Sequence, residues 1–315
     1  MLNASKDIVK KVSRSKVFSA NMKKFWRLYV LLFLPCVYII VFYYWPMYGI
    51  QIAFKDFQVS KGITGSPWVG IKYFQQFFGS YVFWRVLKNT FLISFTTIAV
   101  GFPVPILLAI GMNELKCVAY KKSVQTVTYI PYFISTVVMV GIIYQVLDTR
   151  IGIINLALSN LNIQPVNFVG QSVWFLPIYV LSGIWQTAGY SSIIYLAALA
   201  GVNKELQEAA TLDGASKLKR IWHIDLPHIQ PTIIILMILS VGSVMNVDFQ
   251  KIFLMQNALT LDVSEVISTY VYKVGLTSFQ FSYAGAIGLF SSIINMILLF
   301  TVNQYAKKFS DVSIF

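Results

Sequence analysis

Six stretches of this chain carry no Asp, Glu, Lys or Arg over at least 19 residues: 28–54, 89–113, 123–147, 151–203, 229–247 and 274–306. A hydrocarbon core of about 30 Å takes roughly 20 helical residues to cross, so each stretch has room for one membrane span. The fourth is too long for one span and too interrupted for two. Its first part, IGIINLALSNLNIQPVNF, spreads Asn155, Asn160, Asn162, Pro165 and Asn167 among apolar residues, which predicts a surface-lying helix and then a loop. Its second part, about Val173 to Ala200, predicts the span itself. The pattern therefore predicts an all-α membrane protein with six transmembrane helices. Pro103 and Pro105 predict a kink or break in the second, and Pro131 and Pro177 fall near span starts.

Composition agrees with the pattern. Hydrophobic residues make up 57% of the chain and charged residues 12%, which excludes an ordinary soluble domain. The charges have a direction. With the N-terminus in the cytoplasm, the inner segments are 1–27, 114–122, 204–228 and 307–315, and they hold 17 of the 25 Lys and Arg. Cationic residues accumulate on the cytoplasmic side, so both termini are expected inside. The net charge of +13 then reflects topology and anionic membrane lipid rather than nucleic acid: the basic cluster Lys6–Arg27 leads straight into a span with no DNA-reading motif behind it. The run LLFLPC ends at Cys36 but continues apolar to Tyr48, and Pro35 is not the small residue of a lipoprotein cleavage site, so an uncleaved first helix is expected. Cys36 and Cys117 suggest neither a disulfide framework nor a metal site.

The sequence lacks the constellations of an enzyme. It has no HExxH, no paired cysteines, no GxSxG and no GxxxxGK[ST] phosphate loop. His223 and His228 lie five apart with Pro227 between them, a spacing that does not put two imidazoles on one helical face, so no metal site is expected. The expected spans also carry no ionisable residue at mid-membrane, where ion-driven carriers commonly keep one. Sodium coupling through hydroxyl and backbone oxygens stays open. No cofactor is expected in this chain, and if it transports something, a partner supplies the energy.

One segment breaks the apolar pattern. EAATLDGASKLKRIWHIDLP, residues 208–227, carries six charged residues between two charge-free stretches. Asn203 is a good N-cap for KELQEAATLD, a run of mostly strong helix formers. Gly214 permits the left-handed conformation that closes such a helix. Ser216 can cap a second helix in which Leu218, Ile221 and Trp222 share a face, ended by Pro227. A helix–turn–helix on the cytoplasmic surface is predicted. Ala209, Ala210 and Ala215 keep it narrow and Glu208 projects a charge from it, a shape suited to entering a groove; an amphipathic loop lying on the membrane is the plain alternative.

These residues decide between the two by resemblance. Glu208-Ala209-Ala210, then Asp213-Gly214-Ala215 after two residues, and then Ile224, Leu226 and Pro227 resemble the EAA motif of permease subunits in binding-protein-dependent ABC importers. YYWPMYGIQIAFKDF (43–57), WVGIKYFQQFF (68–78), YIPYFISTVVMVGIIYQVL (129–147), NVDFQKIFLMQN (246–257) and NQYAKKFSDVSIF (303–315) are similar to the carbohydrate branch of the maltose-type permeases. The resemblance runs from about residue 28 to the end; Trp222-His223 departs from it, since maltose-type permeases more often have Phe and a basic residue there. It implies a basic tail (1–27), a permease domain (28–306) containing the coupling loop 203–228, and a short C-terminal tail (307–315). It also implies a non-catalytic subunit of the bacterial cell membrane that works by alternating access. Its partners would be a second homologous permease, two cytoplasmic ATPases that bind ATP and Mg, and an extracellular solute-binding lipoprotein. That lipoprotein would deliver an oligosaccharide to loops 55–83 and 248–273. The first EAA helix would be the coupling helix, with its acidic residue paired to a basic one on the ATPase.

A sugar path needs hydroxyls, amides and aromatic faces, and no charge. The fourth span offers Trp185, Gln186 and Tyr190, the last two four apart on one face. The fifth offers Ser240, Ser243 and Asn246 at intervals of three. Aligned on the EAA segment or on Pro231, the resemblance places Tyr190, Ser243 and Asn246 at cavity positions; interhelical hydrogen bonding explains such residues equally well. The same holds for Gly183, Gly189, Gly242, Gly285 and Gly288 as sliding contacts. A permease for peptides or amino acids, and a membrane sensor component without transport, remain as alternatives.

Overall fold

The computed structural model describes the backbone of residues 14–309 and the side chains of 24–308; the expected tail segments 1–13 and 310–315 lie outside them. Among the described residues the architecture is helical, and the one β pairing is an isolated bridge between Lys55 and Trp68. Four helices are long and apolar enough to cross a membrane: Lys24–Phe54 (span 1), Val82–Asn113 (span 2), Lys217–Gly242 (span 5) and Phe281–Lys308 (span 6). A fifth crossing, span 3, is a bent pair, Val118–Phe133 and Thr136–Leu147, turned by 101°. Span 4 is the 28-residue helix Ser172–Leu199, about 42 Å long at 1.5 Å per residue. It is free of charge, but Trp, Gln, Tyr, Ser and Thr dilute its apolar character.

Local chemistry explains the interruptions. The carbonyl of Ile98 still receives Phe102 N–H at 3.0 Å, and span 2 runs on through Pro103 without a break. Pro131 does more than mark a span start: a 3-10 turn over Ile130–Phe133 and a fresh N-cap at Ser135, whose hydroxyl accepts from Val138 N–H at 3.4 Å, make span 3 an elbow instead of a straight helix. The surface helix expected in 151–203 is present as Ile153–Asn160. Asn155 is its anchor, buried and bonded through both amide atoms to Leu147, Asp148 and Val166.

Packing is uneven along the chain. From Lys24 to Tyr48 every residue of span 1 is exposed; only the turn that follows packs on span 6, where Gly285 meets Ala53. Three of the apolar clusters among the described residues tie the other spans to one another. One joins Phe77, Phe83, Val86, Ile267, Tyr283 and Ile287, tying span 2 to span 6 through the helices Lys72–Phe78 and Ile267–Tyr272. A second brings Ile93, Val140, Tyr179 and Ile252 together, so spans 2, 3 and 4 meet the helix Phe249–Met255. The third, Ala109, Tyr195, Leu199 and Ile229, closes spans 2, 4 and 5 at the end that carries residues 203–228. At the opposite end, Glu265 is buried between two cations: Arg85 pairs with one carboxylate oxygen and Lys273 with the other at 3.0 Å.

Candidate coupling segment and translocation cavity

The polar segment folds as its capping residues predict. Asn203 Oδ1 accepts from Glu205 N–H at 2.8 Å and starts the helix Lys204–Leu212. Gly214 has φ of +75°, the left-handed value a side chain resists. Ser216 Oγ accepts from Lys219 N–H at 3.5 Å and starts the next helix. Pro227 behaves differently from expectation. It does not end that helix, because a π turn over Ile221–Asp225, in which Leu226 N–H reaches the Ile221 carbonyl, absorbs the missing proline donor. Lys217–Gly242 is therefore one continuous rod from the polar turn into the membrane.

The segment is braced on one side and bare on the other. Gln207 Nε2 donates to Asp225 Oδ1 at 2.6 Å, and Arg220 Nη1 to Thr211 Oγ1 at 2.8 Å, so the two helices are tied across the Gly214 turn. Ile224 and Leu226 face inward and are partly buried, while Pro227 is exposed. Glu208, Ala209, Asp213 and Gly214 are exposed, and Ala210 and Ala215 are partly covered. Leu206, Leu212, Leu218 and Trp222 stand out with them, Leu212 at 89% of its full exposure. The protrusion thus presents apolar side chains rimmed by charge to its surroundings.

The residues expected along a path do not converge on one cavity. A cavity of about 390 Å³ lies between spans 2, 4 and 5, lined by Thr97, Tyr179, Gly183, Gln186, Thr187, Ser191, Tyr195, Ser240, Asp248 and Lys251 among others. Gln186 reaches it while donating to the Ile134 carbonyl at 2.9 Å. Tyr190 shares the Gln186 face, as the spacing predicts, but stacks on Tyr132 with ring centroids 3.8 Å apart and planes at 4°, against the span 3 elbow. Trp185 lies in an apolar groove with Met139, Ile142 and Leu181. Ser243 is exposed and donates to the Ser240 carbonyl at 3.0 Å. Asn246 belongs to a different cavity, with Phe249, Ser268, Tyr272 and Ser292. Gly189 is a close-packing site: a Cβ there would sit 2.0 Å from the Thr128 carbonyl oxygen.

The expectation of an uncharged wall does not hold for this cavity. Asp248 and Lys251 both line it, because the helix Phe249–Met255 does not remain a free loop but folds back onto span 4. Burial lowers the Lys251 ammonium to about 8, with the Asp248 charge acting in the opposite direction. One signal was available in the sequence: Lys251 is a single cation inside the apolar run Phe249–Met255.

Comparison with known proteins fits this arrangement. Residues 101–310 match the family described as the binding-protein-dependent transport system inner membrane component. The chain is 42% identical over 288 residues to the polygalacturonan/rhamnogalacturonan transport system permease protein YteP of Bacillus subtilis, covering 91% of this chain and 90% of that one. It is 40% identical to protein LplB of the same organism, covering 94% and 93%. Among solved structures, a bacterial ABC transporter involved in the import of the acidic polysaccharide alginate superposes with a TM-score of 0.86 at 37% identity, covering 92% of this chain and 98% of that one. A second structure, the bacterial alginate transporter in complex with alginate pentasaccharide-bound periplasmic protein, gives 0.87 at 36%. The chain belongs to the inner-membrane permease family of binding-protein-dependent transport systems, and it is a multi-pass membrane protein with six spans.

Proposed function

We propose that this chain is one permease subunit of an ATP-driven importer that moves an oligosaccharide or polysaccharide fragment across the bacterial cell membrane. The observation that carries this reading is the braced, exposed helix–turn–helix 203–228, mounted on a continuous rod into span 5. Its carbohydrate cargo is carried over from relatives named for a polygalacturonan and for alginate. Both termini lie in the cytoplasm, with the helix–turn–helix on the same side.

The division of labour follows from what the chain offers. Glu208, Ala209, Ala210, Asp213, Gly214 and Ala215 form a knob for a cytoplasmic ATPase, one of two that bind ATP and Mg. Ile224, Leu226 and Pro227 pass its displacement into span 5. The fully exposed face of span 1, together with the neighbouring cavity lined by Asn246, is a surface for a second, homologous permease. An extracellular binding protein delivers the sugar to the opposite end of the bundle. ATP-driven closure of the ATPases turns the knob, and spans 4 and 5 shift so that the cavity between them opens outward. Gln186, with Trp185, Tyr190, Ser243 and Asn246 as candidates in the assembled pair, offers amide, hydroxyl and aromatic contacts to sugar.

The test is a pull-down of this chain from native membranes in mild detergent. Co-purification of an ATPase, a second permease and a glycan-binding lipoprotein is the expected result. Recovery with a kinase-like partner and no ATPase would overturn the importer.

A further inference from the structure

The cavity between spans 2, 4 and 5 contains a buried ammonium that, among the described residues, forms no ion pair with a carboxylate. Lys251 is 3% exposed, yet it lines the cavity. Its Nζ donates to the Tyr179 carbonyl at 2.9 Å and lies 4.8 Å from the centroid of the Tyr179 ring. That carbonyl also receives the Ser182 hydroxyl at 3.2 Å. Among the described residues the ion pairs are the two at Glu265, and neither involves Lys251. Asp248, the other charged residue in the wall, is exposed, and its Oδ1 accepts from the Lys251 backbone N–H at 3.0 Å as the cap of that helix. Gly183 leaves the ammonium its space, since a Cβ there would stand 3.2 Å from Nζ.

An ammonium carries three donors, and the backbone carbonyl uses one. Desolvating a cation is costly unless an opposite charge compensates it. A path for neutral sugars needs only the hydroxyls and the amide already present at Thr97, Thr187, Ser191, Ser240 and Gln186. A single ammonium also suits a passing ligand, because it pairs as a point charge and does not lock a carboxylate in the two-pronged geometry of arginine. We propose that Lys251 forms a subsite for the carboxylate of a uronic-acid-containing glycan, and that this chain admits acidic saccharides through it. The proposal rests on the importer reading above and narrows its cargo.

The test is uptake by proteoliposomes holding the complete importer with its binding protein. The probes are trigalacturonate, the same trisaccharide as its methyl ester, and maltotriose. Lys251→Met should slow trigalacturonate uptake by about tenfold or more, with Lys251→Arg retaining much of the rate and any uptake of the ester unchanged. Gly183→Ala, which keeps the charge but crowds it, should raise KM for the acid alone, and it decides the matter if Lys251→Met fails to assemble. Wild-type acid uptake in Lys251→Met, or equal losses for acid and ester, would overturn the subsite. So would wild-type uptake of maltotriose without trigalacturonate, which leaves the importer standing. No uptake of any of the three would overturn the importer reading itself.

Discussion

Gln207 and Asp225 lie 18 positions apart and are joined by one hydrogen bond of 2.6 Å, from the amide of the first helix of the polar segment to a carboxylate at the base of span 5. Asp225 is 2% exposed, so its carboxylate depends on this donor. The bond makes the Gly214 turn a braced corner, and a push on one helix is carried to the other. Gln207→Ala should leave the subunit assembled but loosen the corner, a loss of about 1–3 kcal/mol for a buried acceptor left unpaired. Uptake should fall several-fold more than ATP hydrolysis, measured side by side in the same proteoliposomes. An equal fall in both would mean the bond serves assembly and not transmission.

The turn itself gives a sharper test. Gly214 at φ +75° tolerates a side chain only with about 1–2 kcal/mol of backbone strain, and proline, fixed near −65°, cannot adopt that conformation. Gly214→Pro and Glu208→Ala should each uncouple ATP hydrolysis from uptake, the first by moving the knob and the second by removing its charge. Full transport in the Gly214→Pro variant would refute the coupling role.

How much of this was legible in the sequence depends on the range of the interaction that decides it. Asn203, Gly214 and Ser216 act within three residues, and their caps and turn appear where capping chemistry places them. Pro227 misled because a π turn just before it, Ile221–Asp225, lets the helix run on past a proline that would otherwise end it. Pro131 announces an interruption, but its 101° depends on what the two arms of span 3 pack against. Gln186 and Tyr190 do share a face; that this face meets the carbonyl of Ile134 and the ring of Tyr132 is a tertiary fact no spacing contains. Lys251 was hidden for the same reason: only the fold-back of Phe249–Met255 onto Tyr179 brings it to the cavity.

Span 4 and the first arm of span 3 are held at a distance set by Gly189. A Cβ at that position would overlap the Thr128 carbonyl at 2.0 Å, and backbone cannot move aside as a flexible side chain can. Gly189→Val should destabilise the purified subunit by about 1–3 kcal/mol, read as a lower unfolding temperature in detergent. Gly288→Val, where an added Cβ meets nothing within 4 Å in this chain, is the control and should unfold near the wild-type temperature.

At the opposite end of the bundle, pH reports on a single contact. Tyr73 donates its phenolic proton to Asp56 Oδ1 at 2.6 Å, and its pKa is raised from 10.0 to about 12, by burial first and by the Asp56 hydrogen bond and charge after it. The folded state thus favours the neutral phenol. Its contribution is fully present below pH 10, where the unfolded tyrosine is also neutral, and is lost as pH rises from about 10 to 12, where only the unfolded form ionises freely. Wild-type stability should therefore decline across that window more steeply than that of Tyr73→Phe, which has no proton to lose at this site. Measuring unfolding temperature against pH for the two proteins decides it: parallel curves between pH 10 and 12 would mean that the Tyr73–Asp56 bond does not hold the segment following span 1 in place.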